Sequence, residues 1–282
     1  MNRHIFTTLL FCASLFSLPP LFAQDGILFI IGGGSRPPAM VQEMIDLSGL
    51  DAPDARAVVL PLSSSQPDTS AYYAIRQFTR QGIPRDVFHT LIVNPEQPPT
   101  AADLQAILEA DLIYLPGGDQ RRFMRNIKGT EIKATIQQAY REGAVVAGTS
   151  AGAALMSKEM MTGDERNRAE YTGEFRTIEA DNMILQPGLG LLPQAIVDQH
   201  FVWRMRFNRL LSVIAEHPGM LGIGIDESTA IVVQGKQARV TGVGQVLVLR
   251  NPHGYRVADG LLGARNLQLD LLLAGDTFSV NP

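Results

Sequence analysis

Along the first half of the chain, short apolar runs alternate with stretches in which apolar residues return every three to four positions. "GILFIIGGG" (26–34), "ARAVVLPLSSS" (55–65), "DVFHTLIV" (86–93), "DLIYLPGGD" (111–119) and "AVVAGTS" (144–150) read as buried strands. Between them "PAMVQEMIDLSG" (38–49), "SAYYAIRQFTRQG" (70–82), "AADLQAILEA" (101–110) and "GTEIKATIQQAYREG" (129–143) have helical spacing, and three of the four close on glycine. That alternation predicts right-handed βαβ units around a mostly parallel sheet, an α/β fold. A further helix is expected over "AGAALMSK" (151–158), and a strand over "LLPQAIVDQHF" (191–201). The C-terminal third changes style. "GIGIDESTAIVVQGKQARVTGVGQVLVLRNPHGYRV" (222–257) breaks into short β runs at glycines, read as antiparallel hairpins that extend the sheet. "LQLDLLLAGDTFSV" (267–280) reads as a last strand or docked tail. No linker, repeat or low-complexity stretch interrupts residues 24–282, so a single domain is expected there.

The N-terminus follows another pattern. Arg3 precedes an apolar stretch from Ile5 to Leu18, then Pro19-Pro20 and Ala23, the order of a secretory signal peptide cut after Ala23. Leu21 stands where a second small residue is favoured; the stretch is short for a membrane span, and an uncleaved anchor is the bland alternative. Cys12, the one cysteine, lies in this stretch behind the bulky Phe11, which argues against a lipoprotein. Removing residues 1–23 deletes Arg3 and no acid, taking the net charge from -4 to -5 and leaving no thiol. The expected location is therefore the periplasm or the exterior, with neither disulfides nor thiol catalysis. Of the 282 residues 18% are charged, and no Lys/Arg block appears, which sets nucleic acid aside.

In a parallel sheet, ligand sites gather beyond the carboxyl ends of the strands. Three glycine-rich ends stand out there. Gly32–Gly34 lacks the G-x-G-x-x-G spacing of a dinucleotide site and reads as a tight turn, so no cofactor is expected. Gly148-x-Ser150-x-Gly152 has a strand before it and a helix after it, the setting of an exposed nucleophile, although a helix N-cap is the plain alternative. The Ala151 N–H would then point at an oxyanion formed on Ser150. "LPGGDQ" puts Gly117-Gly118, without side chains, where a second N–H donor is wanted. The base is sought among His89, His200, His217 and His253; His200 ends a strand at the edge of Ser150, whereas the others fall in a strand or in turns. Asp226 or Glu227 is the candidate acid, with Glu165 and Glu170 of "GDERNRAE" (163–170) as rivals in a solvated loop. Arg204, Arg206 and Arg209 follow the histidine, and three guanidiniums there suit a carboxylate-bearing substrate. No His/Asp cluster has metal-ligand spacing, so no metal is expected.

"LPGGDQ", "GTSAGAA", "VDQHFxxRxRxxRL" and "GIGIDExTAIVV" together resemble the signature blocks of cyanophycinases, in order and spacing, from about residue 27 to 250. These belong to a group of serine peptidases that includes aspartyl dipeptidase. The resemblance implies a three-layer α/β sandwich like that of class I glutamine amidotransferases, and hydrolysis of aspartyl peptide bonds. For cyanophycinases the substrate is cyanophycin, polyaspartate with arginine amide-linked to each side chain, and the product is β-aspartyl-arginine. Carried over by motif, Ser150 is the nucleophile, His200 the base, Glu227 the orienting acid, and Gly118 and Ala151 the oxyanion donors. Gln120, Asp198, Gln199, Arg204, Arg206 and Arg209 are implied to form the substrate pocket. The partner is then a peptide or poly-aspartyl polymer, with no membrane once the leader is cut; a homodimer is compatible with all of this. Rival readings are an aspartyl dipeptidase of the same group and a secreted binding protein without catalysis. An α/β-hydrolase esterase places its histidine after the acid, whereas His200 precedes Glu227.

Overall fold

The structure, a computed structural model, describes residues 26–168, 170 and 173–281; the expected leader (1–23), with Cys12, lies outside the described residues. Five parallel strands form the centre: β1 (Ile27–Ile31), β2 (Ala57–Val59), β3 (Phe88–Thr90), β4 (Leu112–Leu115) and β5 (Val145–Thr149). Helices α1 (Pro38–Ser48), α2 (Pro67–Thr79), α3 (Ala101–Leu108), α4 (Gln120–Asn126), α5 (Ile132–Arg141) and the single-turn α6 (Ala151–Ala154) connect or follow them. The chain continues through a hairpin, β6 (Glu159–Glu165) and β7 (Met183–Pro187), then β8 (Ala195–Gln199), α7 (Phe207–Glu216) and β9 (Leu221–Ile225). It closes with β10 (Thr229–Gln234), β11 (Gln237–Gly242), β12 (Val246–Arg250), β13 (Tyr255–Ala258), β14 (Leu261–Ala264), β15 (Gln268–Leu272) and β16 (Thr277–Ser279).

The main sheet has the order β16-β11-β10-β1-β5-β4-β2-β3, parallel from β1 to β3 and antiparallel beyond β1 on the other side. On one face Phe29, Ile31 and Tyr114 pack against Met44 of α1 and Phe78 of α2. On the other, Leu28, Ile30, Ile113 and Val146 meet Ile107 of α3, Ile136 of α5 and the inner face of a second sheet. This smaller sheet has the order β15-β12-β9-β8, with β8 and β9 parallel. Its outer face, through Ile196, Leu247 and Leu249, takes the apolar stripe of α7. Both faces of the central strands are therefore covered, which is why they are written as unbroken apolar runs. Among the described residues no helix is long and apolar enough to cross a membrane.

The C-terminal hairpins differ from expectation: β10, β11 and β16 extend the main sheet, but β9, β12 and β15 build the second one. The glycines of β9 explain where it goes. A Cβ on Gly222 would meet Ile214 of α7 at 2.6 Å, and one on Gly224 the Phe201 ring at 2.5 Å, so this strand must lie under α7. The helix expected over 151–158 stops at Ala154, and β3 spans three residues where eight read as strand. The β6–β7 hairpin and α4 carry no separate signal in the sequence reading.

Candidate active site

Four chain segments meet at the carboxyl end of β1 and β5. Ser150 N–H donates to Ile31 O at 3.0 Å, His200 N–H to Gly32 O at 2.7 Å and Ser228 N–H to Gly33 O at 2.9 Å. His200 thus comes from the second sheet, not from the main one, and is tied to the end of β1 by its backbone. The turn of Asp226, Glu227 and Ser228 is where the chain passes from β9 in the small sheet to β10 in the large one.

Ser150 sits on a sharp turn with φ 54° and ψ -113°, a conformation that costs a non-glycine residue about 1–3 kcal/mol. The flanking glycines let it form. A Cβ on Gly148 would lie 2.4 Å from Gly152 O, and one on Gly152 would lie 2.0 Å from Leu115 O. The turn aims Ser150 Oγ at His200 Nε2, 2.8 Å away, and His200 Nδ1 lies 2.5 Å from Glu227 Oε1. The Gly32–Gly34 turn, expected to be only a connection, is the shelf beneath this chain of contacts. A Cβ on Gly33 would fall 2.3 Å from the His200 ring, and one on Gly34 would fall 2.8 Å from Glu227 Cβ. His200 is buried, which disfavours the imidazolium; Arg204 and Arg206 act in the same direction. Together they outweigh the Glu227 hydrogen bond and hold His200 below its ordinary value of 6.5, neutral at physiological pH.

Of the rival acids, Asp226 accepts the Trp203 N–H at 2.9 Å and so pins the loop after the histidine. Glu165 binds Arg168 and the Asn182 amide, and Glu170 is exposed. Neither approaches His200 among the contacts described. His217 is exposed at the C-terminal cap of α7, His253 is exposed in a turn, and His89 pairs with Asp103.

A cleft of about 270 Å³ opens beside Ser150. Gly118, Gln120, Gln199, Arg204, Arg206 and Arg209 of the sequence-based set line it. Asp198 does not: it lies beneath the wall, 1% exposed, paired through both oxygens with the Arg209 guanidinium (Nε–Oδ2 2.7 Å). Arg209 also stacks over Phe175, its Cζ 4.8 Å from the ring centroid. Arg206 Nη1 donates to Gln199 Oε1 at 2.6 Å and to Gln199 O at 2.8 Å. The α7 helix starts only at Phe207, so Arg206 precedes it; Arg206 and Arg209 are both buried, whereas Arg204 is exposed. Gln120 also departs from a simple substrate contact, because its Nε2 donates to Met161 O at 2.7 Å. Ala151 lies at the first helical position after Ser150, where a backbone N–H has no intrahelical acceptor. Gly118 adopts φ 144°, and a Cβ there would lie 2.2 Å from Ser63 O.

The cleft also contains Asp119, Arg121, Thr162 and Asp164, which sequence reasoning missed. Arg121 pairs with Asp119 (Nε–Oδ1 3.2 Å) and with Asp164. The available signal was Gly163 inside a strand pattern, a common mark of a bulge. A larger cavity, about 460 Å³ near Tyr140 and Pro193, lies toward the opposite end of β1 and is lined by no serine, histidine or carboxylate. Among the described residues no group of three or more His, Cys, Asp or Glu is arranged to hold a metal.

Residues 28–241, the span that contains every element of this site, match the model of peptidase family S51. The chain belongs to that family. It is a serine-type peptidase. A cyanophycinase of Trichormus variabilis is 34% identical over 238 residues, covering 80% of this chain and 76% of its own. One from Geminocystis herdmanii is 34% identical over 235 residues, covering 80% and 83%. Among solved structures, a peptidase from an acI-B1 actinobacterium superposes with a TM-score of 0.66 at 20% identity, over 92% of this chain and 98% of that one. A putative peptidase E protein from Listeria monocytogenes EGD-e gives 0.54 at 16% identity, over 78% and 100%. These two show the fold: a large, mostly parallel sheet with helices around it and added antiparallel strands.

Proposed function

We propose that this peptidase is exported and hydrolyses aspartyl peptide bonds of cyanophycin, releasing β-aspartyl-arginine, with Ser150, His200 and Glu227 as its catalytic triad. The observation behind the mechanism is the line of contacts from Ser150 Oγ to His200 Nε2 (2.8 Å) and from His200 Nδ1 to Glu227 Oε1 (2.5 Å), opening on a cleft with an arginine wall. The substrate choice rests on the similarity to curated cyanophycinases. Neutral His200 takes the Ser150 proton as Oγ attacks the aspartyl carbonyl, and Glu227 steadies the imidazolium. The Gly118 and Ala151 amides face the developing oxyanion. His200 then passes its proton to the leaving amine. A water, deprotonated by the same imidazole, hydrolyses the acyl-enzyme and frees Ser150. Arg204, Arg206 and Arg209 hold a substrate carboxylate and so position the scissile bond; Asp198 and Gln199 hold the arginines.

The test uses the chain from Gln24 onward on insoluble cyanophycin, following loss of turbidity and product mass, with Ser150→Ala in parallel. Clearing with β-aspartyl-arginine release is expected, and the variant should lose about 10^6 in kcat. A variant that keeps a tenth of the activity sinks the nucleophile assignment. Cleavage confined to short peptides with a free N-terminal aspartate favours a dipeptidase. Export is tested separately by N-terminal sequencing of the full chain after expression, where processing after Ala23 is expected.

A further inference from the structure

The two sides of the cleft carry opposite charge. On the inner side three guanidiniums, Arg204, Arg206 and Arg209, stand against one carboxylate, Asp198. On the outer side the ratio reverses: Asp119 and Asp164 share the single Arg121. Ser150 lines the same cleft as both groups.

The two outer acids are held differently. Asp119 caps α4, its Oδ1 accepting the Arg121 N–H at 2.8 Å, so it is committed to the backbone. Asp164 has no such duty. Its carboxylate bonds the Arg121 Nη1 through Oδ2, and the side chain stays 32% exposed at the cleft. An irregularity in the β6–β7 ladder puts it there. Pairing slips between Met161 and Glu165, with Gly163 at φ 89°, and bulges beside active sites commonly re-aim one side chain. The displaced strand is braced from inside the cleft: Gln120 Nε2 takes the Met161 and Thr162 carbonyls, and Asp164 N–H donates to Thr162 Oγ1 at 3.1 Å.

We infer that Asp164 is a specificity-determining residue, binding a guanidinium or ammonium of the substrate while the inner arginines hold a carboxylate of the same substrate. This rests on the peptidase reading above and deepens it. An arginine joined through its α-amino group keeps both its carboxylate and its guanidinium, so each unit of an arginyl-polyaspartate offers the charge pair that the cleft complements. Arg121 occupies Asp164 in the free enzyme and cedes it when the cationic side chain arrives, which keeps the carboxylate aimed and spares it from facing the cleft unpaired.

The experiment compares kcat/KM on short aspartyl oligomers carrying arginine with the same oligomers carrying citrulline, whose neutral urea has the same shape. The wild type should prefer the arginine oligomer by about 10–100-fold, the range of a charge-assisted hydrogen-bonded pair. Asp164→Asn should bring that ratio below about 3, and Asp164→Glu should restore it above about 10. Arg121→Gln, which removes the internal competitor, should raise the ratio. A wild type that cleaves both oligomers alike overturns the inference and leaves the peptidase reading intact, as does an Asp164→Asn enzyme that keeps the full preference. A wild type that cleaves neither overturns both.

Discussion

The proposed triad and the cationic wall face the same cleft but are held by different physics. Ser150, His200 and Ser228, the residue after Glu227, all have positive φ (54°, 51° and 54°), and each ties its N–H to the end of β1. Main-chain hydrogen bonds and a glycine shelf fix these positions, so the side chains are presented whatever their chemistry. Arg209 is placed instead by its side chain, through the buried Asp198 pair and the Phe175 ring. A site fixed by backbone can lose a side chain and keep its fold; one fixed by buried charge cannot.

Three substitutions sharpen this contrast. Glu227→Gln keeps the shape but not the charge that steadies the imidazolium, and kcat should fall by about 10^4 while the melting temperature stays put. A large loss of stability in that variant would show that the triad side is also held by charge. Asp198→Asn strips the buried Arg209 of its counter-charge, and urea unfolding should read about 3–5 kcal/mol of lost stability. An unchanged midpoint would refute charge pairing as the support of that wall.

The smallest effect probes the link between the two sides. His200 must be neutral to act as base, and its folded value lies below 6.5, so kcat/KM should hold to below pH 6.5 and fall as pH drops through that value. Arg204→Gln removes a cation that disfavours the imidazolium, so the value rises and the acidic limb moves to higher pH. The displacement should be under about one unit because Arg204 is exposed and screened. A limb that stays in place or moves to lower pH means that Arg204 does not act on His200 through its charge.

Much was legible from local pattern. The period of apolar residues set β1, α1, β4, α5 and β5, because strands covered on both faces must be apolar throughout. The G-x-S-x-G turn, the histidine closing β8 and the acid after β9 could be picked out, because side chains at strand ends converge in this class of fold. Three things were decided only by tertiary structure. Strand pattern could not tell the adjacent Asp226 and Glu227 apart, although the motif resemblance favoured Glu227, and the contact that reaches His200 across 27 residues is made by Glu227. Asp198 looked like a pocket residue and became the buried partner of Arg209, since its depth depends on α7 packing over β8. For Gly33 and Asp164 the local glycines marked only a turn and a bulge: one matters through the His200 ring set against it from another sheet, the other through a slip in pairing with a strand about twenty residues on. Local sequence sets which way a chain segment can turn, but distance and burial belong to pairs of segments, and they exist only once the two sheets have closed on each other.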